Sequence, residues 1–378
     1  MNDIDNKDLI EKKDRVRPSL ILHALGDTIG FKNTEWEFNA AEGRTTVTLD
    51  HVNEMIYEFI NLGGVNSIDL SDWRVSDDTI FQYYVGKSML KYQNSLDEDF
   101  IYKFKYNLAA ALDSTEKDRK AGRTRVVGYM TKVSISHFTD THDARHESYS
   151  NEAGGNGCAM RNLIIGLCLH QESQLDELTK FSVITSQLTH NNAFGYLAGF
   201  NAAYFASLAL RRVDPLKWPY LLLERLKSDE MVSFIKKTVS QETRDYMDYI
   251  MFWEKHIDNR FSKDRKLLEI KAFANPMYRI KYYYDQFFVG TGALMIGDSG
   301  YLAMIMAYDA FIDSGGIWEK LILFGMLHIG DSDTIGAITA GFYGAYYGFG
   351  DVPPKMYSTL EMRDKIEKLS DDVIKKYF

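Results

Sequence analysis

Along most of the chain, apolar residues recur at three- and four-residue steps, the spacing that places them on one face of an α-helix. This period predicts helices over Ser19–Ile29, Asp50–Leu62, Asp77–Tyr92, Ala159–Leu169, Leu175–Leu188, Phe194–Arg211, Pro219–Leu226, Asp229–His256, Gly300–Ser314, Gly316–Leu327 and Asp333–Tyr347. Two-residue alternation is scarce, and Val126–Ile135 is the one stretch from which a short strand is expected. So many helices without a composition break predict an all-α fold, a compact orthogonal array of helices. The charged residues ahead of the apolar pattern, 1–18, are expected to be flexible, and 19–378 to form one helical domain.

Within the last of these helices, Gly336, Ala340, Gly344 and Gly348 fall four apart. Glycine weakens a helix by about 1 kcal/mol relative to alanine, so such a row suggests a second backbone packed very close, holding the start of that helix rigidly. The tetrapeptide Asp-Thr-Ile-Gly occurs at Asp27 and again at Asp333, but the surrounding residues do not repeat.

Composition narrows the class. An aliphatic and aromatic content of 45% in 378 residues supports a sizeable core. With 44 Lys and Arg against 53 Asp and Glu, the formal charge of −9 argues against nonspecific nucleic-acid binding. The local basic run Lys117–Arg125 is expected to be a solvated loop. Cys158 and Cys168 are the only cysteines, too few for a disulfide framework and suited to a reducing compartment. No signal-peptide order opens the chain, and no run approaches the roughly 20 apolar residues of a membrane span. A soluble, cytoplasmic monomer with no membrane partner is therefore expected.

Two acidic clusters bear the chemistry: Ser76-Asp77-Asp78-Thr79 and Gly330-Asp331-Ser332-Asp333-Thr334, each just ahead of a helix-periodic segment. Asp and Ser at a helix start also cap free N–H groups, so either cluster alone is explained as a cap. Together they offer four carboxylates and flanking hydroxyls with no histidine or thiolate beside them. That all-oxygen set suits magnesium, or manganese, rather than zinc.

Gly154-Gly155-Asn156-Gly157-Cys158-Ala159-Met160-Arg161 is a glycine-rich turn entering a helix, able to aim backbone N–H groups at a phosphate or pyrophosphate, or to serve only as a tight turn. It lacks the Lys-Ser/Thr ending of a Walker loop. Gly26-Asp27-Thr28-Ile29-Gly30 is expected to end the first helix, with Asp27 capping backbone groups or orienting a metal ligand. Trp36-Glu37-Phe38 has no helical pattern and is expected in a loop, with Glu37 either an ordinary exposed loop residue or part of a mobile flap. Thr189-His190-Asn191 follows a helix, where His190 could contact ribose hydroxyls or a base. His137, His142 and His146 fall in the polar stretch Ser134–Asn151, which is expected to be a solvated loop without a helical metal pair.

Taken in order, Gly26-Asp27, Trp36-Glu37-Phe38, Trp73-Arg74-Val75-Ser76-Asp77-Asp78-Thr79, Gly155 to Arg161, Leu188-Thr189-His190 and Gly330 to Thr334 resemble the ADP-ribosylglycohydrolase family, and within it the ADP-ribosyl-arginine hydrolase branch. The likeness runs from about Ser19 to Leu369. It implies an all-helical fold with two magnesium ions held by Ser76, Asp77, Asp78, Asp331, Asp333 and Thr334, and a catalytic set of Asp77, Asp78, Asp333 and Glu37. It also implies that Gly155, Asn156, Gly157, Cys158, Ala159, Met160 and Arg161 wrap the diphosphate of ADP-ribose, with His190 a further ligand contact and ADP-ribosylated proteins the partners. Arginine-specific relatives carry Gly-His-Asp-Ala where this chain reads Gly300-Tyr301-Leu302-Ala303, a change that bears on the acceptor. The expected activity is removal of ADP-ribose from arginine. Hydrolysis of serine-linked or O-acetyl-ADP-ribose, or silent ADP-ribose binding, are the alternatives.

Overall fold

The computed structural model describes residues 11–39, 48–145, 147–239, 244–288 and 295–378. In chain order its helices are α1 (Val16–Phe31), α2 (Asp50–Asn61), α3 (Gly64–Ser67), α4 (Asp77–Met89), α5 (Glu98–Lys120), α6 (Tyr129–Thr141), α7 (Ala159–Cys168), α8 (Leu175–Gln187), α9 (Ala193–Leu210), α10 (Trp218–Lys227), α11 (Asp229–Thr238), α12 (Arg244–Arg260), α13 (Pro276–Phe287), α14 (Gly300–Ser314), α15 (Trp318–Gly325), α16 (Ser332–Tyr347), α17 (Pro354–Ser358) and α18 (Arg363–Tyr377). Among the described residues there is no strand; β pairing is limited to isolated bridges, Gly155 with Ser299 and Phe261 with Leu267. The all-α expectation holds.

Several local expectations change. Val126–Ile135 is not a strand: Thr131, Ser134, Ile135 and Phe138 form the buried stripe of α6, a helical period hidden among β-branched residues. The same helix takes in much of the expected loop Ser134–Asn151. Its His137 is exposed, His142 is the left-handed C-cap, and His146 lies outside the described residues. The helix expected over Asp229–His256 is two helices, α11 and α12, on either side of residues 240–243, which lie outside the described set. Helix α5 was hidden by its charge, yet Phe100, Phe104, Leu108, Ala111 and Thr115 bury one stripe beneath an Asp97 cap. Helices α13 and α18 were likewise not foreseen. Order also begins before residue 19, because Arg15 is buried and donates to the carbonyls of Ala345 (2.6 Å) and Leu210 (2.7 Å).

Two packings position everything else. Helix α9, 18 residues long, has the length and apolarity of a membrane span, but it is almost wholly buried and packs against α7, α8, α14 and α16 as a core helix. Helix α1 lies along α16 in the most extensive helix pairing of the molecule. The glycine row explains how. A Cβ at Gly336 would fall 2.7 Å from the carbonyl oxygen of Gly26, and one at Gly344 only 2.5 Å from the Cα of Ser19. The hydroxyls of Ser19 and Ser332 then donate across the contact to the carbonyls of Gly341 and Gly30, each at 2.8 Å. Gly26→Ala should therefore lower stability by about 1–3 kcal/mol through forced separation of the two backbones. Thermal denaturation reads this, and an unchanged midpoint would mean that the helices are free to part.

Candidate functional site

The first acidic cluster is shaped by α4. Ser76 is its N-cap, with Oγ accepting the Asp78 N–H at 3.1 Å. Behind it stands Asp27, which lies inside α1 rather than at its end, since that helix continues to Phe31. Its carboxylate accepts from the Ser76 N–H (2.9 Å), the Thr79 N–H (3.1 Å) and the Thr79 hydroxyl (2.5 Å). Asp27 thus holds the loop that presents Asp77 and Asp78, the supporting part expected of it.

The second cluster opens α16. The Asp331 N–H donates to Ile296 O at 2.8 Å, and Asp333 accepts the Thr334 N–H at 2.9 Å. Asn156, from the glycine-rich turn, donates through one amide nitrogen to both Asp331 Oδ2 and Gly297 O, each at 2.7 Å. The turn itself is fastened by Asn156 N–H to Asp298 O and by Gly300 N–H to Gly154 O, both at 2.9 Å. Two segments nearly 150 residues apart in sequence are so locked together around Asp331.

These carboxylates face one another with little compensation. Burial, then Asp27, pushes Asp77 up to about 8. Asp78 is held well above the usual carboxylate range by burial, then by Asp27 and Asp77. Asp333 is raised by burial, then Glu37 and Asp331, and Asp331 itself by burial. Burial, then Asp331 and Asp77, likewise raises Glu37. Asp78 Oδ2 is buried with no hydrogen-bond partner among the described residues. Groups of one sign brought this close call for a cation or for protons. Among the described residues no three His, Cys, Asp and Glu side chains stand ready as a coordinating cluster. The donors present are nonetheless hard oxygens without nitrogen or sulfur, a set that fits magnesium or manganese.

Above the carboxylates opens a cleft of about 390 Å³. Its floor holds Asp77, Asp78, Asp331, Asp333 and Thr334, with Glu37 and Phe38 at one side. Gly155, Asn156, Gly157, Met160 and His190 also line it, and Val126 to Thr131 form a further wall. No side chain caps the start of α6 or the turn leading into α7, and Gly128 to Thr131 and Gly155 to Gly157, which carry those starts, line the cleft. Such starts attract anions, and no Lys or Arg is among the described lining residues. The His190 ring lies against Gly157, where a Cβ would come within 2.8 Å of its Cε1. Thr189 Oγ1 accepts from Arg161 Nη2 at 2.7 Å and lies 2.8 Å from His190 Nδ1. If its hydroxyl proton goes to Nδ1, then Nε2 carries the hydrogen that faces the turn.

The structure thus gathers Glu37, Asp77, Asp78, Gly155, Asn156, Gly157, Met160, His190, Asp331, Asp333 and Thr334 around one cleft. Ser76, Cys158, Ala159 and Arg161 are buried behind it and do not line it. Arg161 instead supports Thr189 and Cys158; burial pushes the Cys158 thiol up, but Arg161 and then His190 outweigh this and bring it to about 6. The segment expected to be a mobile flap is anchored as far as Phe38. Trp36 is buried edge-on to Trp73 and donates to Glu58 at 2.9 Å, and the Phe38 N–H donates to Gly330 O at 2.9 Å. Residues 40–47 lie outside the described set. Tyr301 and Leu302, the departure from Gly-His-Asp-Ala, are buried and are not among the described residues that line the cleft. The Tyr301 ring stacks on Phe252 and its hydroxyl donates to Phe287 O at 2.6 Å.

Sequence reasoning missed the Val126–Thr131 wall and Asp298, whose carboxyl is pushed up to about 6 by burial and then by Asp331. A signal for Asp298 existed: Gly297-Asp298-Ser299 repeats the Gly330-Asp331-Ser332 tripeptide, again ahead of an apolar helix. The wall gave none, because its residues read as a strand.

Comparison with known proteins now carries weight. Residues 8–378 match the sequence model of the ADP-ribosylglycohydrolase family, and the chain belongs to that family, whose members are hydrolases of ADP-ribose linkages. It is 30% identical to the ADP-ribosylhydrolase ARH1 of Dictyostelium discoideum over 96% of this chain and 94% of that one. It is 31% identical to L444 of Acanthamoeba polyphaga mimivirus, whose name places it among the ADP-ribosyl glycohydrolases, over 93% of this chain and 68% of that one. The ADP-ribosylhydrolase ARH3 of Danio rerio shares 23% over 94% of this chain and 89% of that one. A solved ADP-ribosylglycohydrolase-related protein complex superposes with a TM-score of 0.56 at 18% identity, covering 97% of this chain and 99% of that one, a likeness of fold.

The raised carboxyls have a consequence for stability. A carboxyl that holds its proton more tightly folded than unfolded contributes stability below its unfolded value, near 3.8, and that contribution is lost as pH rises through the folded values, about 6 for Asp27 and about 8 for Asp77. The chelator-treated protein should therefore lose thermal stability from about pH 4 to about pH 8, and added magnesium should reduce the loss. A flat profile in differential scanning fluorimetry would contradict this electrostatic picture.

Proposed function

We propose that the protein is a magnesium-dependent hydrolase that removes ADP-ribose from ADP-ribosylated arginine in proteins by cleaving the N-glycosidic bond. The observation that carries this reading is the make-up of the cleft, where buried carboxylates, two helix starts without side-chain caps and His190 line one space. The helix starts suit a diphosphate, and the carboxylates suit ribose hydroxyls held through cations beside a positively charged leaving group.

Asp77, Asp78, Asp331, Asp333 and Thr334, which line the cleft, would hold two magnesium ions, or manganese, with Ser76 joining them only where its Oγ, which caps Asp78, also reaches the cation. When bound, such ions supply the positive charge that relieves carboxylate repulsion and favours a deprotonated water. The turn Gly155–Gly157 and His190 bind the diphosphate and so fix the distal ribose over the floor, an orientation effect. The C–N bond at the anomeric carbon breaks as a bond to the water oxygen forms, and Asp78 or Asp333 takes the water's proton. Glu37, at the edge of the floor, protonates the departing guanidine or clamps the sugar. Cys158, Ala159 and Arg161 serve from behind by shaping the turn and orienting His190.

The Trp36-Glu37-Phe38 loop and the ARH1 likeness support arginine as the acceptor. Tyr301 and Leu302 are not among the described residues that line the cleft, which is in keeping with this acceptor. The likeness to ARH3 keeps serine-linked or O-acetyl-ADP-ribose as the second reading. The proposal also makes the protein a cytoplasmic monomer, in keeping with Cys158 and Cys168 buried and unpaired.

The test is ADP-ribose release from arginine- and serine-modified proteins, with magnesium and with chelator. Magnesium-dependent release from arginine alone is expected, and release from serine alone would overturn the acceptor assignment. Asp78→Ala should cut turnover at least about 100-fold while circular dichroism remains unchanged. Full activity in that variant would remove the metal reading.

A further inference from the structure

The basic run that ends at Arg125 is not a solvated loop. Lys117–Lys120 close α5, and Arg125 is buried, with its side chain only 1% exposed. Its guanidinium is fully engaged at three points. Nε donates to Val75 O at 2.8 Å, Nη2 donates to both oxygens of Glu361 at 2.6 Å, and Nη1 pairs with Asp118. Glu361, in the turn before α18, also accepts the Val75 N–H through Oε2 at 3.0 Å.

Val75 is therefore held by both its N–H and its C=O, and it immediately precedes Ser76-Asp77-Asp78. On the far side Asp27 takes the N–H groups of Ser76 and Thr79. The carboxylate-bearing loop is slung between Glu361 and Asp27. Arg125, in turn, is continuous with Val126–Thr131, the cleft wall. One side chain thus joins the metal loop, the wall and the C-terminal helix. A surface ion pair would contribute little, but a buried, multiply bonded arginine fixes geometry.

We propose that Arg125 and Glu361 are a positioning pair that sets Asp77 and Asp78 against the cleft wall, so that affinity for the divalent cation depends on them as well as stability. This rests on the metal reading above. Arg125 touches neither substrate nor cation; it acts through the backbone of Val75.

Electrostatics and positioning predict opposite signs, which makes the pair testable. Loss of the Arg125 charge alone would strengthen cation binding, and loss of the Glu361 charge alone would weaken it. Loss of positioning weakens binding in both. Magnesium titrations followed by thermal shift, with no substrate present, should be run on the wild type, Arg125→Gln, Glu361→Gln and Glu361→Ala, with Arg123→Gln as control. Arg123 pairs with the same Asp118 from an exposed position. The expected result is a magnesium midpoint raised about tenfold in Arg125→Gln and Glu361→Ala, less in Glu361→Gln, and unchanged in Arg123→Gln. ADP-ribose release at saturating magnesium should recover in each.

Opposite shifts in the Arg125 and Glu361 variants would overturn the proposal. So would lowered melting temperatures with unchanged midpoints, which would leave a purely structural role. If Arg125→Gln does not fold, the two Glu361 variants decide: both lose the same charge, so a larger shift in Glu361→Ala than in Glu361→Gln supports positioning, and equal or absent shifts refute it. A wild type indifferent to magnesium would refute the metal reading and this proposal together, whereas a responsive wild type with unaltered variants refutes only this one.

Discussion

The close approach of α1 and α16 is the constraint from which the site follows. Their backbones come together without intervening side chains at Gly26 with Gly336 and at Gly344 with Ser19. That contact places Asp27, in the body of α1, within reach of the loop that begins α4, and puts the start of α16 beside the end of α1. Ser332 Oγ bonded to Gly30 O marks the junction. Two acidic clusters at opposite ends of the sequence become neighbours because two glycine-bearing helix faces leave no room for anything else. A single added methyl group at the contact would act on the site as directly as on the core.

The arrangement stores unfavourable electrostatics where chemistry is needed. Asp27, Glu37, Asp77, Asp78, Asp331 and Asp333 each have a raised proton affinity, with burial the leading cause. A fold tolerates such a set when the surrounding packing over-determines it and a ligand relieves it. Here Asn156, Asp27 and the backbone bonds of Asp331 and Phe38 hold the carboxylates from the sides, and their open face is the cleft. The same cleft is lined by helix starts without side-chain caps and by a histidine beside Thr189 and Arg161.

Much of this was legible in the chain. The apolar period located α1, α4, α7 to α10, α14 and α16, because those helices bury broad apolar faces or are buried all round. It failed for α5, where a narrow stripe from Phe100 to Thr115 is outnumbered by exposed charges, and for α6, where β-branched residues around Val126–Ile135 imitate a strand. The Glu37 loop was placed in the site by its likeness to a family, while its anchoring through Trp36 and Phe38 depends on Trp73 and Gly330, which nothing local announces.

By itself, the sequence determined the helical class, the oxygen-only character of the acidic clusters, and the glycine row that lets two helices touch. These properties depend on residue type and on spacing within a few turns. Only the tertiary structure decided which members of each motif face the cleft. Met160 reaches it while Arg161 turns inward to Thr189, because successive residues on a helix point in different directions. It also recruited Asp298 and the Val126–Thr131 wall, and buried Arg125 beneath a surface-like run of charge. Those outcomes rest on contacts between residues far apart in the chain, and a linear pattern carries no record of which distant partner will satisfy a buried group.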